Sequence, residues 1–172
     1  MARYRRRLTR DQKLVASAVA AGLLLAASNA HGAATAGRGG SMLTARTIPA
    51  GSSYAPASWA RALLSAAGWP ETSCNLAAVT AWEGAEGGNW ANAARFNPLD
   101  TTQPEPGSYP MNSAGVQAYS SWQSGFAATL TTLGNGRYGA ILSALSAGNS
   151  AQAVADAVAA SPWGTAPLTA SC

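Results

Sequence analysis

Residues 89–118, NWANAARFNPLDTTQPEPGSYPMNSAGVQA, are too dense in Asn, Pro and Gly to continue a helix or to sustain a central sheet strand. Whatever fold the chain adopts must carry this long irregular segment, with room in it for short hairpin strands only. Segments of that length without regular structure inside a domain are usually functional. On either side the pattern is helical. PASWARALLSAAGWP has Pro56 and Ser58 where a helix begins, Trp59, Leu63 and Ala66 on one face, Leu64 and Ala67 beside it, and Gly68 and Pro70 as a stop. ETSCNLAAVTAWEGAEGG follows, with Thr72 or Ser73 as cap and Leu76, Val79, Trp82 and Glu83 along one stripe. Beyond the insert, helices are expected over Trp122–Leu133, Tyr138–Ala147 and Ala151–Ala160, carrying Phe126, Leu130, Ile141, Leu145, Val154 and Val158 inward. The fold class is therefore mainly α, about five helices with an irregular or short-hairpin insert after the second.

The basic charge of the chain is local. Arg3, Arg5, Arg6, Arg7, Arg10 and Lys13 precede the apolar stretch LVASAVAAGLLLAA and the small residues SNAHGAATAG. A positive start, an apolar run of this length and small residues behind it make a secretory signal or a membrane anchor over residues 1–30. Ser28 and Ala30 suit a cleavage site, with a cut after Gly32 as the alternative. From residue 31 onward five arginines meet six acids, so the body is near neutral and nucleic-acid binding is rejected as its main work. Residues 31–54, rich in Gly, Ala, Ser and Thr, read as a flexible linker, and residues 55–172 as one domain. Contact with a membrane is expected only through the N-terminal segment, and the domain is expected to be a monomer.

Two cysteines, Cys74 and Cys172, both fall in the exported part, where a disulfide is permitted. Tying the chain end to its middle closes a loop of roughly 100 residues, worth about 4–5 kcal/mol on the loop-entropy model.

Elimination narrows the chemistry. The only histidine is His31, beside the signal, so Ser-His-Asp and Cys-His catalysis and a histidine-ligated catalytic metal are excluded from the domain. GNGRYG follows a helix and lacks the lysine of a phosphate loop. No cofactor and no metal site are expected. Acid–base work falls to six carboxylates: Glu71, Glu83, Glu86, Asp100, Glu105 and Asp156. Glycoside cleavage needs little else, because one carboxylic acid that keeps its proton near neutral pH can protonate the leaving oxygen. Glu86 closes the second helix between Trp82 and Trp90. Burial beside indole and the negative end of the helix dipole both raise a carboxyl pKa there. A solvated helix-end glutamate is the plainer alternative. Glu83 reads either as a second candidate acid, as a surface residue, or as a partner for Arg95. Trp59, Trp69 and Trp82 are expected in the core; Trp90, Tyr109, Tyr119 and Trp122 stand on or beside the insert, where a sugar platform and a core role are equally plausible.

The run from AVTAWEGAEGGNW through ARFNPLDTTQPEPGSYPMNSAGVQAYSSWQSGFAATLTTLGNGRYGAIL resembles a lysozyme-like domain of the kind found in actinobacterial mobile elements and phage tail proteins, related to lytic transglycosylases and goose-type lysozymes. The resemblance covers about residues 55–165. It rests on the AEGG glutamate, the FNPL-TTQ turn, the N-S-x-G-V-x-x-Y segment and the A-T-x-x-T-L-x-x-G-x-Y stretch. It implies cleavage of peptidoglycan glycan strands. Glu86-Gly87-Gly88 matches the family's catalytic glutamate frame better than Glu83-Gly84-Ala85. GVQAY stands where the family has a G-L-M-Q strand lining the sugar groove, a motif absent here. By that correspondence Gln117 and Tyr119 would touch substrate, and Asn97 and Asn112 would shape the groove; in a cleft between the second helix and the insert, Trp90 and Tyr119 are expected to stack on sugar faces. Asp100 is the one carboxylate of the insert placed to assist across the groove, against the alternative that it caps the Thr-Thr turn after it. A different class of function, a non-catalytic wall-binding or assembly module on the same fold, fits an aromatic groove equally well.

Overall fold

The computed structural model describes residues 53–87 and 90–172. The signal or anchor expected over residues 1–30, and all but the end of the linker expected over 31–54, lie outside the described residues. Among the described residues are five helices and one two-stranded hairpin: α1 (Pro56–Ala67), α2 (Ser73–Gly87), β1 (Tyr109–Pro110), β2 (Gln117–Ala118), α3 (Trp122–Leu133), α4 (Gly139–Ala147) and α5 (Ala151–Ala159). The class is mainly α with a small sheet, as the sequence pattern indicates.

Local chemistry sets the ends of these helices. Ser58 closes the first turn of α1, its hydroxyl accepting the Ala55 N–H and donating to the Ala55 carbonyl. Gly68 at φ 73° ends that helix in the left-handed region that glycine tolerates best. Of the two caps open for α2, Thr72 takes the role: its Oγ1 accepts the Asn75 N–H at 3.2 Å and donates to the Gly148 carbonyl at 2.7 Å. Ser121 and Ser150 cap α3 and α5 in the same manner. Helix α4 begins one residue later than the pattern predicts. Tyr138 stays outside it and packs its ring edge-on to Trp163, 5.2 Å between centroids.

Helix α2 runs through the centre, packed on α1 and α5. The core beside it holds Trp59 stacked on Phe126 at 5.1 Å, Leu63, Leu64, Val79, Trp82, Leu99, Ile141 and Val158, all 0% exposed. Trp59, Trp69 and Trp82 are core residues. Trp90 and Trp122 are partly buried against the core edge, whereas Tyr109 is 52% exposed. Cys74, on the first turn of α2, is joined to Cys172 across a sequence separation of 98. That bond returns the C-terminal tail to the helix that carries both candidate glutamates.

The insert is organised by hydrogen bonds more than by strands. Its hairpin pairs Tyr109 with Ala118 and Pro110 with Gln117, antiparallel. Asn97 is 2% exposed and acts as the hub: its Nδ2 donates to the carbonyls of Thr101 and Gln117, and its Oδ1 accepts the Thr101 N–H.

Candidate active site

Glu83 and Glu86 occupy successive turns at the C-terminal end of α2, three residues apart and so neighbours on the helix surface. Their environments differ. Glu83 lies on the same inward stripe as Val79 and Trp82 and is 0% exposed. Its Oε2 accepts the indole N–H of Trp90 at 2.8 Å, while Oε1 has no partner among the described residues. Burial pushes its carboxyl up to about 8, against the smaller opposing pull of the Trp90 hydrogen bond. Glu83 is thus neither a surface residue nor a partner of Arg95; desolvation on the buried stripe makes it a neutral carboxylic acid at pH 7.

Glu86 is half-buried. Loss of water raises its pKa first; the Thr165 hydroxyl, donating to Oε1, opposes that, and the nearby charge of Asp100 raises it further. Asp100 is half-buried, also raised by burial, and accepts the Asn92 amide at 2.6 Å. Its side chain does not cap the Thr-Thr turn: Asn97 Oδ1 takes the Thr101 N–H instead. Asp100 is therefore left to face Glu86 electrostatically. Three acids with raised pKa values gather around the end of one helix.

Backbone strain falls in the same place. Among the described residues, the non-glycine positions with positive φ are Trp90 (66°), Phe96 (57°) and Asp100 (50°). Each costs on the order of 1 kcal/mol or more, and such conformations cluster at active sites and ligand clamps. Close packing holds them. The Phe96 carbonyl oxygen sits against Gly125 of α3, and the Pro98 carbonyl lies 3.0 Å from where a Gly87 Cβ would stand.

Among the described residues two clefts open near this end of α2, and of the three acids only Asp100 lines either of them. The larger, about 320 Å³, is lined by Trp90, Phe96, Trp122, Asn92, Arg95 and Asn97 among others. The smaller, about 150 Å³, includes Asp100, Thr102, Tyr138 and Trp163. The Asn92–Asp100 hydrogen bond links a lining residue of one to a lining residue of the other.

The residues placed on the groove by resemblance divide. Trp90 lines the larger cleft, tilted on Trp122 at 5.1 Å. Asn97 also borders it, with its amide committed to the insert. Gln117 is 7% exposed and bonds Ser108 Oγ and the Gly115 carbonyl. Tyr119 is 2% exposed, its hydroxyl donating to the Gln103 carbonyl at 2.7 Å, so its ring offers no open face for a sugar. Asn112 Oδ1 accepts the N–H groups of Ala114 and Val116, which makes it the organiser of the hairpin turn. Gln117, Tyr119 and Asn112 thus shape the insert from within, because its unpaired backbone needs those polar atoms. Asn92, Trp163 and Thr165 belong to the site and were not singled out by sequence reasoning. Trp163 packs on Trp82 at 4.7 Å and donates its indole N–H to the Leu99 carbonyl.

No group of three or more metal-ligating side chains occurs among the described residues. No helix among them is long and apolar enough to cross a membrane. The fold and site define a mainly α domain with a cluster of one buried and two half-buried acids at one helix end. Comparison with protein families, curated proteins and solved structures returns no match to this chain.

Proposed function

We propose that this protein is exported and cuts the glycan strands of bacterial peptidoglycan, with Glu86 as general acid and then general base. The observation that carries the proposal is Glu86 itself: half-buried at the C-terminal end of α2, raised in pKa by burial and by Asp100, and oriented by the Thr165 hydroxyl. Glu83 is more strongly raised, yet at 0% exposure it cannot reach a substrate oxygen. The sequence resemblance to lysozyme-like domains supports the same assignment, and the basic-then-apolar N-terminus together with the disulfide supports export.

In this mechanism the Glu86 carboxyl gives its proton to the glycosidic oxygen as the C1–O bond breaks. In a transglycosylase the sugar's own C6 hydroxyl then closes on C1, and the Glu86 carboxylate takes the hydroxyl proton. In an inverting hydrolase Asp100 would instead take the proton of a water attacking C1 from the opposite face. Zymography on peptidoglycan tests the proposal. Wild type clears the gel; Glu86→Gln, which keeps shape but has no proton to give, loses about 100-fold or more. Equal clearing by both refutes Glu86. Wall binding without clearing by wild type leaves the binding-module reading in its place. Mass spectrometry of the fragments then separates anhydro ends from reducing ends, and Asp100→Asn abolishes cleavage only in the second case.

A further inference from the structure

Asn92 bridges the two half-buried acids. Its backbone N–H donates to the carbonyl of Gly87, the residue after Glu86, at 3.4 Å. Its side-chain Nδ2 donates to Asp100 Oδ1 at 2.6 Å. Asp100 is held from the other side as well: it stands on left-handed backbone at φ 50°, and its own N–H donates to the Asn97 carbonyl at 3.2 Å. One exposed residue thus ties the end of α2 to the carboxyl whose charge reaches Glu86.

The chemistry of an amide matters at this position. Its N–H favours a carboxylate over a carboxylic acid, and it brings no charge of its own. An arginine or lysine there would ionise Asp100 equally well but cancel its field. The influences on the pair are few. Burial raises Asp100 and the Asn92 amide opposes it. Burial raises Glu86, the Thr165 hydroxyl opposes that, and the charge of Asp100 adds to the rise. Glu83, one turn back on α2, keeps its proton beside Trp90. Of the other ionisable side chains, Tyr138 borders the smaller cleft with Asp100, and Arg95 the larger with Asn92. Asp100 starts from the lower ordinary value, 3.8 against 4.5 for Glu86, so it ionises first. Its charge then meets a Glu86 that still carries a proton.

We propose that Asn92 is a positioning residue that keeps the proton of the Glu86–Asp100 pair on Glu86. It fixes Asp100 against the end of α2 as an anion and leaves that negative charge free to act. The proposal rests on the glycan-cleaving reading for its use, since Glu86 must enter that reaction as the acid. In this role Asn92 works through Asp100, not on the sugar.

The test follows the carboxyl carbons of isotope-labelled Asp and Glu by NMR through a pH titration of the full chain, with Glu86→Gln and Asp100→Asn assigning the signals. In Asn92→Ala the Asp100 titration should move up and that of Glu86 down, each by about 0.5 to 1 in pH, the scale of one exposed hydrogen bond to an anion. In Asn92→Lys both should move down. Asp100→Asn should lower Glu86 at least as far as Asn92→Ala does, because it removes the charge itself. In zymograms run at stepped pH, the alkaline limb of clearing should move down with Glu86 in Asn92→Ala. A purely structural role would admit water and lower both carboxyls together in Asn92→Ala; that result, or a Glu86 titration that stays in place, overturns the proposal. So does a Glu86 titration raised by Asn92→Lys. Opposite movements in a protein that clears no glycan sink the enzyme reading alone. Clearing that depends on Glu86, with its titration unmoved by Asn92→Ala, sinks this inference alone.

Discussion

Glu83 is a carboxylic acid sealed among apolar side chains, with one oxygen on Trp90 and the other without a partner among the described residues. Such a group is tolerated as the neutral acid, and its proton links folding to pH. In the unfolded chain it ionises around the ordinary glutamate value of 4.5; in the folded protein it holds the proton to about 8. Below 4.5 both states are protonated and the linkage contributes fully to stability. As pH rises from 4.5 towards 8, the unfolded state releases a proton that the folded state keeps, so stability falls, by on the order of 4 kcal/mol across the window. Glu83→Gln removes this dependence while an amide oxygen still accepts the Trp90 N–H. Thermal melts should show the variant matching wild type at pH 4 and exceeding it by several degrees at pH 8. A constant difference across that range refutes the neutral-acid account. The stripe spacing sets Glu83 beside Trp82 but leaves a buried and a surface position both open; the structure buries it. Its bond to Trp90 was not legible, because that contact depends on a left-handed Trp90 that no local pattern specifies.

At the scale of elements, the helices were legible and the insert was not, for a physical reason. Stripes such as Trp59–Leu63–Ala66 and Trp122–Phe126–Leu130 bury one face at fixed spacing, and the caps and stops stand next to them in sequence. The insert has no period to read. Its conformation comes from single side chains answering single backbone groups, as Asn97 does for Thr101 and Gln117. The expectation that Gln117 and Tyr119 touch substrate and that Asn112 shapes the groove did not include this demand. The insert approaches α3 most tightly for a glycine at Gly125, where a Cβ would run into the Phe96 carbonyl and come within 3.4 Å of the Tyr119 ring. Gly125→Ala gains about 1 kcal/mol of helix propensity but forces the Phe96 backbone away. The net result should be a loss of about 1–3 kcal/mol in urea unfolding. Gly139→Ala, in α4 with nothing within 4 Å of the new methyl, is the control and should be neutral or slightly stabilising. Equal effects from the two substitutions would show that close approach at Gly125 is not what holds the insert.

For the molecule as a whole, the C-terminal tail is the part that closes the site. From Cys172 at the first turn of α2 the chain leads back through Ala170, whose N–H donates to Gln152, to Thr165 on Glu86 and Trp163 on Trp82. Seven residues of near-extended chain reach about 23 Å, and the twelve-residue climb from Cys74 to Glu86 along a helix is about 18 Å. The tail is just long enough to follow α2 from its pinned end to the acid. Once the pairing of Cys74 with Cys172 is accepted, that length relation was the one sequence signal able to bring Thr165 to Glu86. Two losses should follow from cutting the staple. Cys74→Ser with Cys172→Ser removes loop-closure stabilisation of at most about 4–5 kcal/mol. It also frees the Thr165 hydroxyl, the group that holds the Glu86 pKa down against burial and Asp100. Without that donor the Glu86 carboxyl keeps its proton to higher pH, so the alkaline limb of glycan cleavage should shift upward. Thr165→Val should give the same shift with the disulfide intact and little change in melting temperature. If the limb stays in place in Thr165→Val while the double serine variant loses only stability, the tail is a structural staple and has no part in setting the acid.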